Sequence, residues 1–312
     1  MTVLEDVTSP PAAGLRPRGV SQRERWSRRL PLLPALIFTI VVTQVPFLVT
    51  LWYSFQNYFW NEPGGAHWTG VSNYKEVFTD PNFRSALWRT VTMTAIAVIV
   101  AMTLGILLAV LLDKKFIGRG VVRTLIITPF LVMPAAASLI WSGPMLDPNF
   151  GLLNWLLEPF GVNHVAWLTT HAYGSVIVVM IWQWTPFMTL IVLAGLQGQA
   201  SDVLEAAKVD GASAWATFRE LTLPHLRPYI ELGVLLGSIY LVTAFDQVRL
   251  MTNGGPGTTT TTLPFYLYQK VNYAFDIGGS AAAGVVTVIL TLIVASFALR
   301  MFARVFQFEE AK

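Results

Sequence analysis

Long apolar runs dominate this sequence and constrain its fold more than any other feature. Six of them are each long enough to cross the roughly 30 Å of hydrocarbon in a bilayer. They lie at Leu30–Phe55, Trp88–Leu112, Val121–Trp141, Tyr173–Leu196, Tyr229–Met251 and Gly278–Phe302. Lipid offers a backbone no hydrogen-bond partners, so α-helices are the form expected for such runs. We predict an all-α membrane protein with six transmembrane helices in one domain, residues 30–305.

Composition supports a membrane protein and excludes several kinds of site. Of the 312 residues only 12% are charged, about half the share usual in a soluble domain. The first run is too long for a cleaved signal peptide and ends in aromatic residues. Cysteine is absent, which excludes disulfides and thiolate ligands. The histidines, His67, His164, His171 and His225, show no metal-ligand spacing. We expect no metal and no cofactor on this chain.

Lysine and arginine are distributed unequally between the two sets of segments that the apolar runs separate. One set contains Arg16, Arg18, Arg23, Arg25, Arg28, Arg29, Lys114, Lys115, Arg119, Arg123, Lys208, Arg219, Arg227, Arg300, Arg304 and Lys312. Positive charge marks the cytoplasmic side, so we place both termini and loop 197–228 there. Residues 1–29 are then a disordered basic tail and residues 306–312 a cytoplasmic tail. The net charge of +3 requires no nucleic-acid partner.

Loop 197–228 is polar and predicts a helix, a turn and a second helix outside the lipid. Asp202 and Glu205 have the spacing of a capping box, in which each side chain bonds the other's backbone N–H. Gly211 offers a left-handed stop, and a second helix is expected over Ser213–Leu221. Pro224 and Pro228 are then expected to frame a rigid entry to the fifth span. On this evidence alone, Glu205 is either a capping residue or an anchor for a partner.

A longer pattern in the same loop resembles a known family. The pattern Glu-Ala-Ala-x-x-Asp-Gly-Ala-x-x-x-x-Phe-x-x-x-x-Leu-Pro is matched at Glu205, Ala206, Ala207, Asp210, Gly211, Ala212, Phe218, Leu223 and Pro224. It resembles the EAA loop of binding-protein-dependent ABC import permeases, in particular the carbohydrate-importing, maltose-type branch. Trp182-x-x-x-Pro186-Phe187-Met188 and Thr252-Asn-Gly-Gly-Pro256 agree with that branch. The resemblance covers roughly residues 30–305.

The resemblance implies a type I ABC importer permease fold in a bacterial cell membrane. The loop would form a coupling helix seated in a cleft of an ATPase, with Glu205, Ala206, Ala207, Asp210, Gly211 and Ala212 at the contact. The implied partners are a second permease subunit, two ABC ATPase subunits and an extracytoplasmic solute-binding protein. No G-x-x-x-x-G-K-[ST] motif occurs in the sequence. ATP and Mg are therefore expected on the ATPase subunits, and this chain is not expected to be an enzyme.

Polar and aromatic residues within the fourth and fifth spans are the candidates for a substrate pathway. Because polar groups in lipid are costly, they usually face a cavity or a partner. In the fifth span, positions i, i+3, i+4 and i+7 share a helix face, and they are occupied by Tyr240, Thr243, Ala244 and Gln247. Aromatic, hydroxyl and amide groups suit a polyhydroxylated ligand. Packing between subunits, which also uses such residues, is the open alternative.

The resemblance implies a sugar site on residues from both of these spans. The matching positions are Gln183, Trp184, Phe187, Tyr240, Leu241 and Ala244. Leu241 and Ala244 are apolar here, where the best-known site of the family has polar side chains. The sequence favours a sugar alcohol or an oligosaccharide without choosing between them.

The loops on the other side give three smaller predictions. Residues 151–161 predict a short surface helix ended by Pro159 and Gly161. It either rests on the membrane or contacts an external partner. The glycines at 254–257 predict a sharp turn. Asp246 and Arg249 are spaced to form an ion pair.

Two other classes of membrane protein are alternatives to a permease. A secondary transporter works without an ATPase and usually has internal repeats and coupling carboxylates. The spans show no obvious repeat, and their acids, Glu231 and Asp246, lie toward span ends. An intramembrane enzyme would need a catalytic constellation such as a Ser/His pair, and no span contains histidine.

Overall fold

The protein is described here by a computed structural model, covering residues 33–162 and 164–310. Its helices are α1 Leu33–Tyr53, α2 Ser72–Thr79, α3 Pro81–Asp113, α4 Arg119–Leu131, α5 Pro134–Ile140, α6 Leu152–Leu157, α7 Trp167–Thr170, α8 Ala172–Gln197, α9 Ser201–Val209, α10 Ala214–Thr217, α11 Leu223–Val242, α12 Leu263–Asn272 and α13 Ile277–Glu310. Three π-helical turns adjoin them, at Trp141–Met145, Phe218–Thr222 and Val248–Thr252. Strands β1 Gln56–Asn57 and β2 His67–Trp68 pair antiparallel.

In the part of the chain that the structure describes, four helices are long and apolar enough to cross a membrane. They are Leu33–Tyr53, Pro81–Asp113, Ala172–Gln197 and Ile277–Phe297, which confirms the first, second, fourth and sixth predicted spans. The basic tail 1–29 lies outside the described residues. By its internal contacts the chain forms two units, residues 1–49 and residues 50–312. The packing described below belongs to the second unit.

The third predicted span is not one straight helix. Helix α4 ends at Leu131, and the next helical segment, Pro134–Met145, is bent from it by 100°. Val132 and Met133 between them are extended. A residue before proline is disfavoured in the helical conformation, so Pro134 forces this break and restarts the helix at its own first turn. The apolar run in the sequence predicts the length of the span, but it does not predict a bend of this kind.

The fifth predicted span is also interrupted. Helix α11 ends at Val242, and Thr243–Phe245 are not helical. The Thr243 hydroxyl donates to the carbonyl of Tyr240 at 2.9 Å, and the Ala244 N–H bonds Leu241 instead of continuing the ladder. A threonine hydroxyl competes with the backbone in this way. The shared helix face predicted for Tyr240 to Gln247 was therefore wrong.

Helices α3, α8 and α11 pack tightly around Met188, which is fully buried. A Cβ at Gly105 of α3 would lie 2.7 Å from the Met188 Cβ and 3.0 Å from the Thr189 backbone nitrogen. At Gly237 of α11 an added Cβ would meet the end of the Met188 side chain, which can rotate away. Small residues let membrane helices approach closely. The close approach of α3 to α8 therefore depends on Gly105 in particular.

Gly105→Val is expected to destabilise the protein. The neighbouring atoms at Gly105 include backbone, which cannot yield by rotation. Overpacking of this kind costs about 1–3 kcal/mol. The matched control is Gly284→Val in α13, where an added Cβ meets nothing within 4 Å. Thermal unfolding in detergent should show a lowered midpoint for Gly105→Val alone, and equal midpoints for the two variants would contradict the packing described here.

The helix packet has two ends with different loops. The side chains of Thr92 and Tyr173, near the starts of α3 and α8, are hydrogen bonded. At the other end, His225 of α11 bonds the carbonyl of Gly195 in α8 at 3.1 Å. Residues 56–80, 146–162, 164–171 and 253–276 thus form a loop-rich end, and residues 114–118 and 198–222 lie at the opposite end. As predicted, a short helix with Pro159 and Gly161 at its end lies in 151–161, and Gly254 and Gly257 have positive φ.

A charged network closes the loop-rich end. Lys270 donates to Glu76 and to Asp276, both at 3.0 Å, and the Tyr266 hydroxyl donates to Asp80 at 2.6 Å. Burial would lower the pKa of Lys270, but the hydrogen bonds and charges of Glu76 and Asp276 outweigh it and raise that pKa. Burial, together with Asp80, also raises the pKa of Tyr266. Both groups are held in their protonated forms.

Tyr266→Phe is expected to reduce stability in a pH-dependent way. A hydrogen bond to a charged group contributes about 1.5–3 kcal/mol. Since the folded pKa of Tyr266 is raised, this contribution is complete below the ordinary tyrosine value near 10 and is lost as the pH rises toward the folded value. The difference in unfolding midpoint between wild type and Tyr266→Phe should therefore be constant at neutral pH and shrink above about pH 10. The control is Tyr273→Phe, at an exposed tyrosine, which should leave the midpoint unchanged.

Candidate substrate pathway and coupling loop

Four aromatic side chains from three helices meet beside the two helix breaks. The Trp184 ring centroid lies 5.5 Å from Phe187, 5.4 Å from Tyr240 and 5.7 Å from Phe130. Phe130 and Phe187 stack at 5.1 Å. We call Phe130, Trp184, Phe187 and Tyr240 the aromatic cluster. Three of its members were predicted from the sequence as pathway residues, and the structure brings them together.

The aromatic cluster is open on the side of Tyr240. The Tyr240 side chain is 58% exposed, while Phe130, Trp184 and Phe187 are half-buried. Trp184 and Phe187 flank Pro186 in α8, where the missing backbone N–H does not end the helix. A ligand beside the cluster would meet ring faces and the phenol hydroxyl of Tyr240. These groups suit C–H surfaces and hydroxyl groups, respectively.

The two predicted glutamines are engaged within the protein. Gln183 donates from Nε2 to the carbonyl of Val132 at 2.9 Å. Its Oε1 accepts from Nε2 of Gln247 at 2.8 Å. Both glutamines are buried, each 3% exposed. Their amides therefore join helix α8 to both helix breaks.

The remaining predicted pathway residues occupy different environments. Leu241 is buried in the main core, Thr243 is exposed and Ala244 is half-buried. These positions belong to the end of α11 and to the break that follows, so they do not form one stripe.

The predicted pair of Asp246 and Arg249 is not formed. Arg249 instead donates to Asn253 Oδ1 at 2.7 Å, and its guanidinium lies 5.3 Å from the ring centroid of Tyr268. The helical i,i+3 geometry that the pairing required is absent, because these residues follow the break and enter a π-helical turn.

In loop 197–228 the predicted left-handed stop at Gly211 is confirmed. Gly211 has φ +78°, a region that only glycine occupies freely. The Ala212 N–H bonds the carbonyl of Ala207 at 2.9 Å, and the Gly211 N–H bonds that of Lys208 at 3.2 Å. This pair of bonds is a Schellman motif. It ends α9 and fixes the direction in which the chain leaves it.

The predicted capping box is not formed. Helix α9 begins at Ser201, its cap position is Ala200, and no side chain caps it. The Asp202 carboxylate accepts from the Ser201 hydroxyl at 3.2 Å. Because the cap position is Ala200, two residues before the predicted one, Asp202 lies inside the first turn and is out of register for capping. Glu205 is therefore not used as a cap.

From Pro224 and Pro228, the second helix of the loop was expected to end before the fifth span. It does not end there. It begins at Ala214, where Ser213 caps it by accepting from the Ala216 N–H at 3.2 Å, and continues through Phe218–Thr222 into α11. Pro224 lacks an N–H. The π-helical turn before it, closed by a bond from Leu223 N–H to the Phe218 carbonyl, accommodates the mismatch without ending the helix.

The coupling positions proposed from the sequence lie on the surface. Glu205, Ala206, Asp210, Gly211 and Ala212 are exposed, and Ala207 is buried. Large apolar side chains lie nearby and are also exposed: Val209 at 87% and Trp215 at 70%. A charged group beside exposed apolar side chains is typical of a contact surface.

A family model decides the class of protein. The model for binding-protein-dependent transport system inner membrane components matches residues 101–307, which include both helix breaks, the aromatic cluster and loop 197–228. The chain belongs to this family. It is a permease subunit of a binding-protein-dependent importer and a multi-pass membrane protein. The family predicted from the Glu-Ala-Ala pattern is thereby confirmed.

Curated relatives match the permease over nearly its full length. It is 38% identical to a probable ABC transporter permease of Sinorhizobium fredii, covering 90% of this chain and 93% of the relative. It is 33% identical to the trehalose/maltose transport system permease MalF of Thermococcus litoralis, over 86% and 91%. The trehalose transport system permease SugA of Mycobacterium tuberculosis is 30% identical, over 97% and 96%.

Solved structures confirm the fold. The permease matches a chain of a bacterial ABC transporter involved in the import of the acidic polysaccharide alginate with a TM-score of 0.76, 22% identity, and coverage of 90% and 96%. A second structure shows a bacterial alginate ABC transporter in complex with a periplasmic protein that carries an alginate pentasaccharide. Its matching chain also has a TM-score of 0.76 and 22% identity, with coverage of 91% of this chain and 96% of that chain. The helical architecture is therefore that of an ABC importer permease.

Two residues of this region were missed from the sequence. Phe130 completes the aromatic cluster, and Val132 offers the carbonyl to which Gln183 donates. Both lie in the run that the sequence predicts as one straight helix. The signal was Pro134, since the residue just before a proline tends to leave the helical conformation, whereas Pro129 stays inside α4.

Proposed function

We propose that this permease is one of two membrane subunits of an ATP-driven importer of carbohydrate, a sugar alcohol or an oligosaccharide. The observation that carries the solute class is the aromatic cluster at the helix breaks, combined with relatives named for trehalose and maltose transport. Sugars present C–H faces that pack on aromatic rings and hydroxyls that bond to polar groups. Trp184, Phe187 and Tyr240, with Phe130, are proposed as the groups that a passing solute contacts.

Six membrane crossings are proposed, with the bent pair of α4 and the segment to Met145 as the third. The fifth is the part of α11 that follows loop 197–228, together with the interrupted segment after Val242 up to Met251. Glu231, near the cytoplasmic end of this crossing, pairs with Arg227 at 2.9 Å, which reduces the cost of placing its charge in a membrane helix. The Lys and Arg bias supports cytoplasmic termini and a cytoplasmic loop 197–228.

Loop 197–228 is proposed to dock on a separate ATPase subunit, which binds ATP and Mg. Support comes from its exposed surface, with Glu205 beside Val209 and Trp215, and from the match to the EAA pattern. The rigid Schellman turn at Gly211 allows the loop to transmit movement instead of absorbing it. Glu205 is proposed to pair with a basic residue of the ATPase.

The proposed complex also contains a second permease subunit, a second ATPase and an extracytoplasmic solute-binding protein. The binding protein is proposed to approach the loop-rich end, opposite loop 197–228. A related transporter has been solved with a periplasmic protein bound. In the proposed cycle, closure of the ATPases moves the coupling loop, the two permeases open outward, and the binding protein releases its solute near the aromatic cluster.

Reconstitution of the complete complex in lipid tests this function. The binding protein is loaded in turn with sugar alcohols, disaccharides, oligosaccharides and, as a control class, amino acids, and ATP hydrolysis is measured. We expect stimulation by one carbohydrate class and none by amino acids. Uptake that persists without the ATPase subunits would refute the importer, and stimulation by amino acids alone would refute the solute class.

A further inference from the structure

The two helix breaks described above are joined through the side chains of Gln183 and Gln247. Breaking a helix leaves backbone groups without partners, and each unsatisfied group in lipid costs several kcal/mol, as an order of magnitude. The Val132 carbonyl, in the extended link between α4 and α5, is one such group, and it accepts from Gln183 Nε2 at 2.9 Å. Gln183 thus supplies to the third span a bond that its own helix cannot make.

The same amide holds the second break. Gln183 Oε1 accepts from Gln247 Nε2 at 2.8 Å, and Gln247 is the second residue after the non-helical link Thr243–Phe245. An amide carries both donors and acceptors, so the Gln183 side chain can donate to the Val132 carbonyl and accept from Gln247. An ionised carboxylate offers only acceptors and an ammonium only donors, so neither at position 183 could bond both neighbours.

The glutamine chain lies directly behind the aromatic cluster. Phe130 is two residues before Val132, Trp184 follows Gln183, and Tyr240 is three residues before the second break. Movement of either break would therefore move a ring of the cluster relative to Trp184. The glutamines themselves are only 3% exposed, and the hydrogen bonds named above already occupy both polar atoms of Gln183.

We infer that Gln183 and Gln247 are positioning residues that hold the aromatic cluster in its solute-binding arrangement by joining the two helix breaks, and that they do not contact the solute. The sequence had placed both in the substrate pathway. Their effect on solute binding is indirect and shared, because removing either amide breaks the same bond between the two glutamines. This assignment holds for any solute that the cluster binds, so it goes beyond the proposed carbohydrate.

Kinetics of the reconstituted complex test the inference. In Gln183→Met and Gln247→Met an apolar side chain of similar length replaces the amide. We expect each to raise the solute concentration for half-maximal uptake about tenfold, the effect of losing about 1.4 kcal/mol of binding. The maximal rate per folded complex should change less than about twofold, whereas misfolding would reduce it in proportion to the folded protein lost.

The double variant separates positioning from direct contact. Residues that act through one shared bond are not additive, so Gln183→Met with Gln247→Met should match the worse single variant. Multiplied effects would show that each glutamine binds the solute separately and would overturn the inference. Unchanged half-maximal concentrations in both single variants would overturn it as well. Gln269→Glu, in the short helix α12, controls for an altered glutamine elsewhere.

A distance measurement makes the test independent of the solute. The chain has no cysteine, so spin labels attach only where cysteine is introduced, at Leu131→Cys and Leu250→Cys, one beside each break and both exposed. The unaltered glutamines should give one narrow distance distribution in lipid nanodiscs, and Gln183→Met should broaden or shift it. An unchanged distribution refutes the positioning role, even if no carbohydrate proves to be transported. If the methionine variants do not accumulate, Gln247→Asn, which keeps the amide and shortens the side chain, is read in the same two assays.

Discussion

Glu205→Lys is expected to abolish ATP-driven uptake while leaving the permease folded. Glu205 is exposed in α9 and makes no capping bond, so the chain itself gains little from its charge. If it pairs with a basic residue in a cleft of the ATPase, reversal places two like charges together. Loss of a buried interfacial charge pair costs about 2–5 kcal/mol, which is about 30-fold or more in affinity.

The measurement is copurification of the ATPase together with uptake in the same cells. Glu62→Lys is the matched control, because it makes the same change at an exposed position of the loop-rich end. It should retain the ATPase, because it lies at the end opposite loop 197–228. The coupling role of Glu205 fails if Glu205→Lys still brings down the ATPase and still supports uptake at the wild-type rate.

Helix lengths were predictable where one physical requirement dominates. An apolar run of 20 or more residues in lipid must satisfy its own backbone hydrogen bonds. The bounds of α3 and α8 and the start of α13 therefore lie within a few residues of the predicted ones, except where a helix extends into water. The extension of α3 back to Pro81 is an example. Asp80 caps it by accepting from the Asn82 N–H at 2.8 Å, and the proline occupies the first turn, where its missing N–H has no cost.

The helix breaks were not predictable from hydropathy, because they depend on partners distant in the chain. An extended link at Val132 is tolerable only when something satisfies its carbonyl, and that group, Gln183, lies 51 residues away. Just after the second break, Gln247 donates to Gln183, 64 residues away in the chain. Local preferences of Pro134 and Thr243 favour the breaks, and hydropathy shows neither these preferences nor the distant hydrogen-bond partners.

The candidate site was predicted in part for the same reason. Trp184, Phe187 and Tyr240 were identified by a resemblance that carries residue positions, and the structure brings them into contact. The predicted stripe on the fifth span assumed one continuous helix, so it grouped Tyr240 with Gln247. Their actual surroundings differ: Tyr240 is open to a ligand, whereas Gln247 is buried against Gln183.

Tyr240→Ala is expected to weaken solute binding about tenfold with little loss of stability. Tyr240 is 58% exposed, so truncating it leaves no cavity in the core. Its ring lies 5.4 Å from that of Trp184, and it is the member of the aromatic cluster that a solute reaches most easily. Aromatic contacts contribute about 0.5–1.5 kcal/mol beyond the area they bury, and 1.4 kcal/mol is about tenfold in affinity.

Two further variants identify the part of Tyr240 that matters. Tyr240→Phe keeps the ring and removes the hydroxyl, so a small effect assigns binding to the ring face and a large one to a hydrogen bond with the solute. Leu232→Ala removes another exposed apolar side chain of α11 and controls for altered packing against lipid or a partner subunit. The assay is the solute dependence of ATP hydrolysis by the reconstituted complex. If the solute passes along the cluster, Tyr240→Ala must raise the solute concentration for half-maximal ATP hydrolysis more than Leu232→Ala does. The reason is that only Tyr240→Ala removes a ring that packs on Trp184.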